Sequence, residues 1–260
     1  VGLLVFVWIG AFLVSIVSTV SGGGASLLYM PLIALTVGVK AVAPTLTLGI
    51  SLGSLARVFF FWKFIDWNLF FWLFPSTIIG SVLGSVLFAE LSADYLQAVI
   101  GLFLLTSIFQ LRLRNSEVKT RFQIKAWHFA PIGFFVAFIS GLTGGGGPLM
   151  NTAYLNYGMP KESMIGTRSA NAIVLHFCKL VSYGILGYLT QEVLLFGLLI
   201  GSSAILGNYT GKIFLSRISE LSFRNIVVFS TFGSGVYLLI KNKNFILSYL
   251  EYIVKVGIIN

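Results

Sequence analysis

The sequence predicts an all-α integral membrane protein built from two homologous halves, and three observations carry that prediction. Of its 260 residues, 57% are hydrophobic and only 10% are charged. A soluble domain carries about 25% charged residues, so this chain cannot clothe a water-facing surface of the usual kind. The apolar residues gather in runs of about twenty, enough for a helix to cross roughly 30 Å of hydrocarbon. Finally, the chain repeats itself: "VSGGGASLL" at 20–28 returns as "LTGGGGPLM" at 142–150, an offset of 122 residues.

The first apolar segment, 3–20, lacks a basic leader and reads as a membrane helix, not a cleavable signal peptide. It runs into Gly22-Gly23-Gly24 and a short apolar piece, 26–37, too short to span alone. Spanning helices are predicted over 43–62, 67–89 and 94–112. After a basic linker the pattern recurs: 127–142 runs into Gly144 to Gly147 and a short piece, 149–157, followed by predicted spans at 164–189, 194–212 and 223–241. Segment 245–257 carries Glu251 and Lys255 and reads as an interfacial helix or an additional short pass. The organisation is an N-terminal repeat, 1–113, a linker, 114–126, a C-terminal repeat, 127–243, and an apolar tail, 244–260.

Two further matches extend the repeat. Glu90-Leu91-Ser92 answers Glu220-Leu221-Ser222, and "IGSVLG" at 79–84 answers "LGNYTG" at 206–211. Charge orients the halves. The 17 Lys and Arg outnumber the 8 Asp and Glu, a balance that in a soluble protein points to nucleic acid. Here the basic residues lie mainly between apolar runs, so topology explains them and no nucleic-acid partner is expected. Arg112, Arg114, Lys119, Arg121 and Lys125 face a single acid, Glu117, which places the linker in the cytoplasm. Counting outward from it sets the Glu-Leu-Ser loop outside in one half and inside in the other. That describes inverted-topology repeats with glycine-broken or re-entrant helices, a plan that transporters use around a central site. The same count puts Lys241 and Lys243 outside, against the rule, and keeps a parallel repeat as the alternative.

The single cysteine, Cys178, excludes an intrachain disulfide and a CxxC metal site and reads as a small apolar filler. Neither HExxH nor GxSxG occurs, and no metal, cofactor or enzyme activity is expected. What stands out is the glycine. A helix broken inside the membrane presents unpaired N–H groups and partial positive charge, and glycine lets a ligand approach that backbone. Close helix packing is the alternative for such residues, and it is the preferred reading for the GxxxG patterns at 80–84 and 207–211.

The expected binding residues are Gly22, Gly23, Gly24, Ser26 and Thr47 in the first half and Gly144, Gly145, Gly146, Gly147, Asn151 and Asn171 in the second. Hydroxyls and amides donate to a small oxyanion without the desolvation penalty of a full charge, although each Ser or Thr can instead bond its own helix. Arg57, Arg168 and Lys179 add intramembrane cations, which mark function by default. Arg57 and Lys179 stand 122 residues apart, the spacing of the glycine runs, so they occupy equivalent places in the two halves. Snorkelling toward headgroups is the alternative for Arg57. His176, about a turn from Lys179, is a proton-relay candidate or a packed neutral ring. Trp62, Trp67 and Trp72 read as interfacial anchors.

The ordered, duplicated set resembles the TauE/SafE family of sulfite-exporter-type permeases. The residues that carry the resemblance are "VSGGGASLLYMPL" at 20–32, "ISGLTGGGGPLMN" at 139–151, "FIDWNL" at 64–69 leading into "IIGSVLGSVL" at 78–87, and "GYLT" at 187–190 leading into "ILGNYTGKIF" at 205–214. The resemblance implies a multi-pass protein of the plasma (bacterial inner) membrane that moves small sulfur-containing anions such as sulfite, thiosulfate or organosulfonates. The halves are not equivalent: Pro31 has no counterpart, and Asn151 and Asn156 make the second short piece more polar. No ATP-binding motif occurs, so the expectation is a secondary transporter whose partners are a small anion, the lipid bilayer and protons or another coupling ion. A passive anion channel, a membrane enzyme and an assembly subunit are the alternatives.

Overall fold

A computed structural model describes residues 2–20, 25–105, 124–146, 150, 153–154, 156–214, 232–233 and 235–248, and structural statements here refer to these residues. They contain helices and no strand. In chain order the labelled helices are α1 (Gly2–Val20), α2 (Ala25–Thr36), α3 (Val39–Phe61), α4 (Trp67–Glu90), α5 (Ala93–Leu105), α6 (Phe129–Thr143), α7 (Lys161–Ile185) and α8 (Gln191–Phe214), with further helical turns at 235–241 and 243–248.

Three stretches are long and apolar enough to cross a membrane, Val39–Phe59, Trp67–Glu90 and Ala126–Thr143. The expected spans at 43–62 and 67–89 and the broken segment 127–142 thus appear as such helices. The segment 164–189 does form a 25-residue helix, α7. It is not among the three because Lys161, Glu162, Arg168 and Lys179 and several Ser, Thr and Asn residues dilute its apolar character. The described parts of 3–20, 94–112 and 194–212 are shorter apolar helices, and most of 223–241 lies outside the described residues, as does the tail beyond 248.

The exterior is apolar, and the interior mixes apolar clusters with many buried polar side chains. Phe59, Phe71, Phe135, Phe177 and Ile185 are exposed, while Thr45, Thr47, Ser54, Thr77, Ser81, Ser85, Ser140, Thr143, Thr167 and Lys179 are buried. An exterior this apolar is unlike that of a water-soluble protein. In a bilayer it needs no compensation, since lipid tails are as apolar as the side chains that face them, and helices associate instead through small residues and polar contacts. Trp62, Trp67 and Trp72 are exposed around the α3–α4 turn, with the Trp62 and Trp67 rings edge to face at 5.2 Å.

Small residues set the helix spacing. Gly80 and Gly84 of α4 lie against the carbonyls of Phe134 and Phe138 of α6, so close that an added Cβ would overlap the oxygens. Gly141 of α6 abuts the backbone of Ser81 and Ser85 in return. The second GxxxG start, Gly207 of α8, abuts Ser15 and the Phe12 carbonyl of α1 in the same way. Phe12 and Phe134 are 122 residues apart, so matching glycines meet matching carbonyls. The wider packing has the same character: α4 lies on α6 as α8 lies on α1, α8 lies on α3 as α4 lies on α7, and α3 lies on α7. Exchanging the halves maps this set of contacts onto itself.

Helix directions follow from paired landmarks. Leu48 and Leu52 of α3 meet Gly197 and Gly201 of α8, so these two run parallel, and Trp8 donates to Ser202 at 3.3 Å while Ser15 meets Gly207, so α1 runs with them. The contacts Gly80–Phe134 and Gly84–Phe138 make α4 and α6 parallel. Asp66 donates its N–H to Thr167 Oγ1 at 2.8 Å, and the Phe88 and Tyr183 rings meet at 5.3 Å, so α7 runs with α4. The two sets are opposed: Gly166 of α7 abuts the Phe61 carbonyl at the end of α3, while Lys40 at the start of α3 reaches Tyr188 just beyond α7 at 3.3 Å. Lys40 also donates to the Phe88 and Ala89 carbonyls at 3.4 and 3.3 Å, where the carboxyl end of α4 favours a cation.

Gly84→Val is expected to force α4 away from α6 and to destabilise the folded protein by about 1–3 kcal/mol. Ile79→Val, on the exposed face of the same helix, is expected to be neutral. Thermal unfolding of the two variants in detergent measures the difference.

Candidate functional site

The described second glycine run closes α6. Gly144 has φ +92, the left-handed region, and its N–H returns to the Ser140 carbonyl at 2.9 Å. The chain then turns beneath the ends of two helices from the first half: a Cβ on Gly144 would meet the Ala43 backbone of α3 at 2.9 Å, and one on Gly145 would meet Ser26 Oγ at 2.7 Å and Met30 Cε of α2 at 2.8 Å. Gly145 is thus held against Ser26 without side-chain bulk. Thr143 Oγ1 donates to the Gly145 carbonyl at 3.0 Å and tightens the turn. Gly146 abuts the Val136 carbonyl at 2.8 Å in the same sense.

This break is off centre. Ala43 is four residues into α3, about 6 Å along its axis at 1.5 Å per residue. Relative to α3 the break thus lies near that helix's N-terminal end, after the 15 residues, about 22 Å, of α6.

The cations lie on the opposed pair α3 and α7. Lys179 is fully buried, and its Nζ donates to Ser140 Oγ at 3.2 Å, one turn before Gly144. Tyr183, one turn further along α7, donates its hydroxyl to the Gly141 carbonyl. Arg57 is half-buried and donates from Nη2 to Ser54 Oγ of its own helix at 3.0 Å. His176 is buried, feels the charges of both Lys179 and Arg57, and has no hydrogen-bond partner at Nδ1. The described acids, Asp66, Glu90, Asp94, Glu162 and Glu192, all stand at or beside helix ends, and none forms an ion pair with Arg57 or Lys179. Among the described residues, no carboxylate balances Lys179 or Arg57. A buried cation held only by a neutral hydroxyl is poorly compensated for its lost hydration.

The hydroxyls divide into two groups. Thr47 donates to its own Ala43 carbonyl at 2.7 Å, as the intrahelical alternative anticipates. Asn171 accepts from Thr77 of α4 at 2.9 Å, which leaves its amide NH2 as a donor. Thr45 Oγ1 and the Tyr154 hydroxyl are buried with no hydrogen-bond partner. Gly22, Gly23, Gly24, Gly147 and Asn151 lie outside the described residues. Two surface recesses, one by Leu55, Phe59 and Trp62 and another by Leu195, Leu198 and Ile205, are apolar and contain none of the buried cations.

Three residues escaped the sequence reading: Ser140, Tyr154 and Tyr183. A signal for Ser140 exists in the repeat, since Ser18 precedes it by 122 residues, as Arg57 precedes Lys179. Tyr154 and Tyr183 carry no such mark beyond being aromatic side chains with a polar tip. Among the described residues no group of His, Cys, Asp and Glu is placed to hold a metal ion.

A family model described as sulfite exporter TauE/SafE matches residues 7–238. Neither the curated proteins nor the solved structures contain a match to the chain.

Two substitutions separate the price of burying Lys179 from the value of its partner. Ser140→Ala is expected to destabilise the protein by about 1–3 kcal/mol, because the ammonium loses its hydrogen bond. Lys179→Met, of similar length and uncharged, is expected to be neutral or stabilising. Unfolding temperatures in one detergent compare them, and a Lys179→Met variant less stable than Ser140→Ala would contradict this account.

Proposed function

The chain belongs to the sulfite exporter TauE/SafE family, whose model matches residues 7–238, and from that premise we propose that it carries a small sulfur-containing oxyanion or organosulfonate across the plasma (bacterial inner) membrane by alternating access. The family is one of membrane transporters, and the apolar helices mark an integral membrane protein. The observation that carries the finer reading is Lys179: a fully buried ammonium with a neutral hydroxyl as its hydrogen-bond partner. Such a charge calls for an anion, and a transported one supplies it transiently.

In this reading the anion meets Lys179 and Ser140 beside the Gly144–Gly145 turn and is also drawn by Arg57 and Arg168. Ser26 lies against Gly145 from the other half, so both halves contribute. Gly22 to Gly24, Gly147, Asn151, Asn171 and Thr47 complete the proposed lining. The opposed directions of α1 and α6, of α3 and α7, and of α4 and α8 support inverted repeats that rock about this region. His176, between the cations, is the candidate proton relay for coupled transport.

Purified chain in proteoliposomes tests the proposal with sulfite and thiosulfate, with and without a pH gradient. Saturable flux is expected, and Lys179→Gln and Gly145→Val are expected to abolish it while the protein remains inserted. Normal flux in both variants sinks the site, and flux that never saturates favours a channel.

A further inference from the structure

We infer that the turn between α7 and α8 is half of a latch that stands open in this structure: the Thr190 N–H and the Thr45 hydroxyl close on each other when Gly187 changes conformation. The use made of the latch rests on the alternating-access reading above; its parts rest on the hydrogen bonds of the two halves.

A closed counterpart lies at the other end of the α3–α7 contact. Asp66 donates its N–H to Thr167 Oγ1 at 2.8 Å, a bond from one half to the other. Asp66 also caps α4: its carboxylate accepts from the Leu69 N–H at 3.0 Å and its carbonyl from the Phe70 N–H at 2.9 Å. Thr190 caps α8 in the same way, its Oγ1 accepting from the Val193 N–H at 3.3 Å and its carbonyl from the Leu194 N–H at 2.9 Å. Thr45 and Thr167 stand 122 residues apart, at the same distance from the starts of α3 and α7. Thr190 and Thr45 are therefore the counterparts of Asp66 and Thr167. Here they do not meet. Thr45 Oγ1 is buried without a hydrogen-bond partner, and the Thr190 N–H finds none among the described residues. Leu189, next to Thr190, already packs on the cluster that contains Ala43, so the turn lies close to the start of α3.

The ends of the two helices differ in one respect. After Phe61 the chain passes through a right-handed 3-10 turn, Trp62–Phe64, and Ile65 has φ −69. That course delivers Asp66 to Thr167. The end of α7 is a left-handed reversal. Gly187 has φ +77, its N–H returns to the Gly184 carbonyl at 3.1 Å, and the Tyr188 N–H returns to the Tyr183 carbonyl at 2.8 Å. The reversal folds the chain back on α7 and keeps Thr190 from Thr45. Glycine adopts this conformation readily. A side chain at 187 would meet open space, so the residue there acts through its backbone alone. Once Gly187 leaves the left-handed region, the Tyr188 N–H is released and the turn can take the course of its counterpart. A buried hydroxyl without a partner costs stability, and the bond from Thr190 removes that cost. Because α3 and α7 are opposed, tilting one half against the other opens one end as it closes the other. The two latches thus alternate.

Hydrogen exchange of the full chain in detergent, followed at the Asp66 turn, tests this without a substrate. Gly187→Ala disfavours the left-handed reversal and should speed exchange at Asp66 about tenfold, although the two residues lie at opposite ends of α7. Adding Thr45→Val should cancel that effect. In proteoliposomes Thr45→Val should lower sulfite flux about tenfold while thermal stability holds, because the hydroxyl bonds nothing here, and Thr45→Ser should keep native flux. Exchange at Asp66 that ignores Gly187→Ala overturns the latch. Native flux in Thr45→Val would then mean that the two ends differ permanently, with Pro44 standing where Gly166 stands, and lost flux would make Thr45 an anion ligand. Coupled exchange with no flux in the native chain supports the latch and sinks the transporter reading. Neither coupling nor flux overturns both.

Discussion

The contact between α3 and α7 is the interaction on which the rest of the molecule depends. It joins the corresponding helices of the two halves, head to tail, and carries Arg57, Arg168, His176 and Lys179. Cations in an apolar interior are costly, and here the described carboxylates stand at or beside helix ends. The surrounding helices make that burial tolerable by lining the pair with hydroxyls from α4 and α6. Their close approach in turn requires the glycines and serines of α4, α6 and α8. The charge sets the demand, and small residues elsewhere let the backbone come near enough to meet it.

Much of this was legible in the sequence because the repeat makes matching positions visible. The spacing of Arg57 and Lys179 pointed to equivalent positions, and the two residues lie on α3 and α7, which pack against each other. The glycines at 80, 84 and 207 read as packing residues, and they abut carbonyls. The buried Thr47 showed the other side of the same logic: its hydroxyl bonds its own helix, as many membrane threonines do. Depth was not legible. Where a helix stops depends on where it starts and what it packs against, and the sequence marks the glycine without marking the level of Ala43 beside it. Nor was the partner of Lys179, since Ser140 lies 39 residues away and meets it only through the α6–α7 crossing.

The buried polar side chains also carry a cost in stability. Lys179, His176 and Tyr154 are each less comfortable than an apolar residue of similar size in the same place. These three residues lie on α7 and the short segment before it, while the α4–α6 and α1–α8 contacts are close and repetitive.

The crossed pattern of those two scaffolding contacts has a consequence for how the molecule is made. Each half surrenders its opening helix to the other: α1 beds against α8, and α6 against α4. Within a single polypeptide this is a domain swap. During synthesis the groove of Gly80 and Gly84 emerges well before α6 can fill it, and α1 waits longer still for Gly207. The first half must therefore sit in the bilayer unfinished, its small-residue seam open to lipid, until translation of the second half delivers the missing strap. A chain cut in the linker would yield two pieces that are each incomplete alone and complementary together.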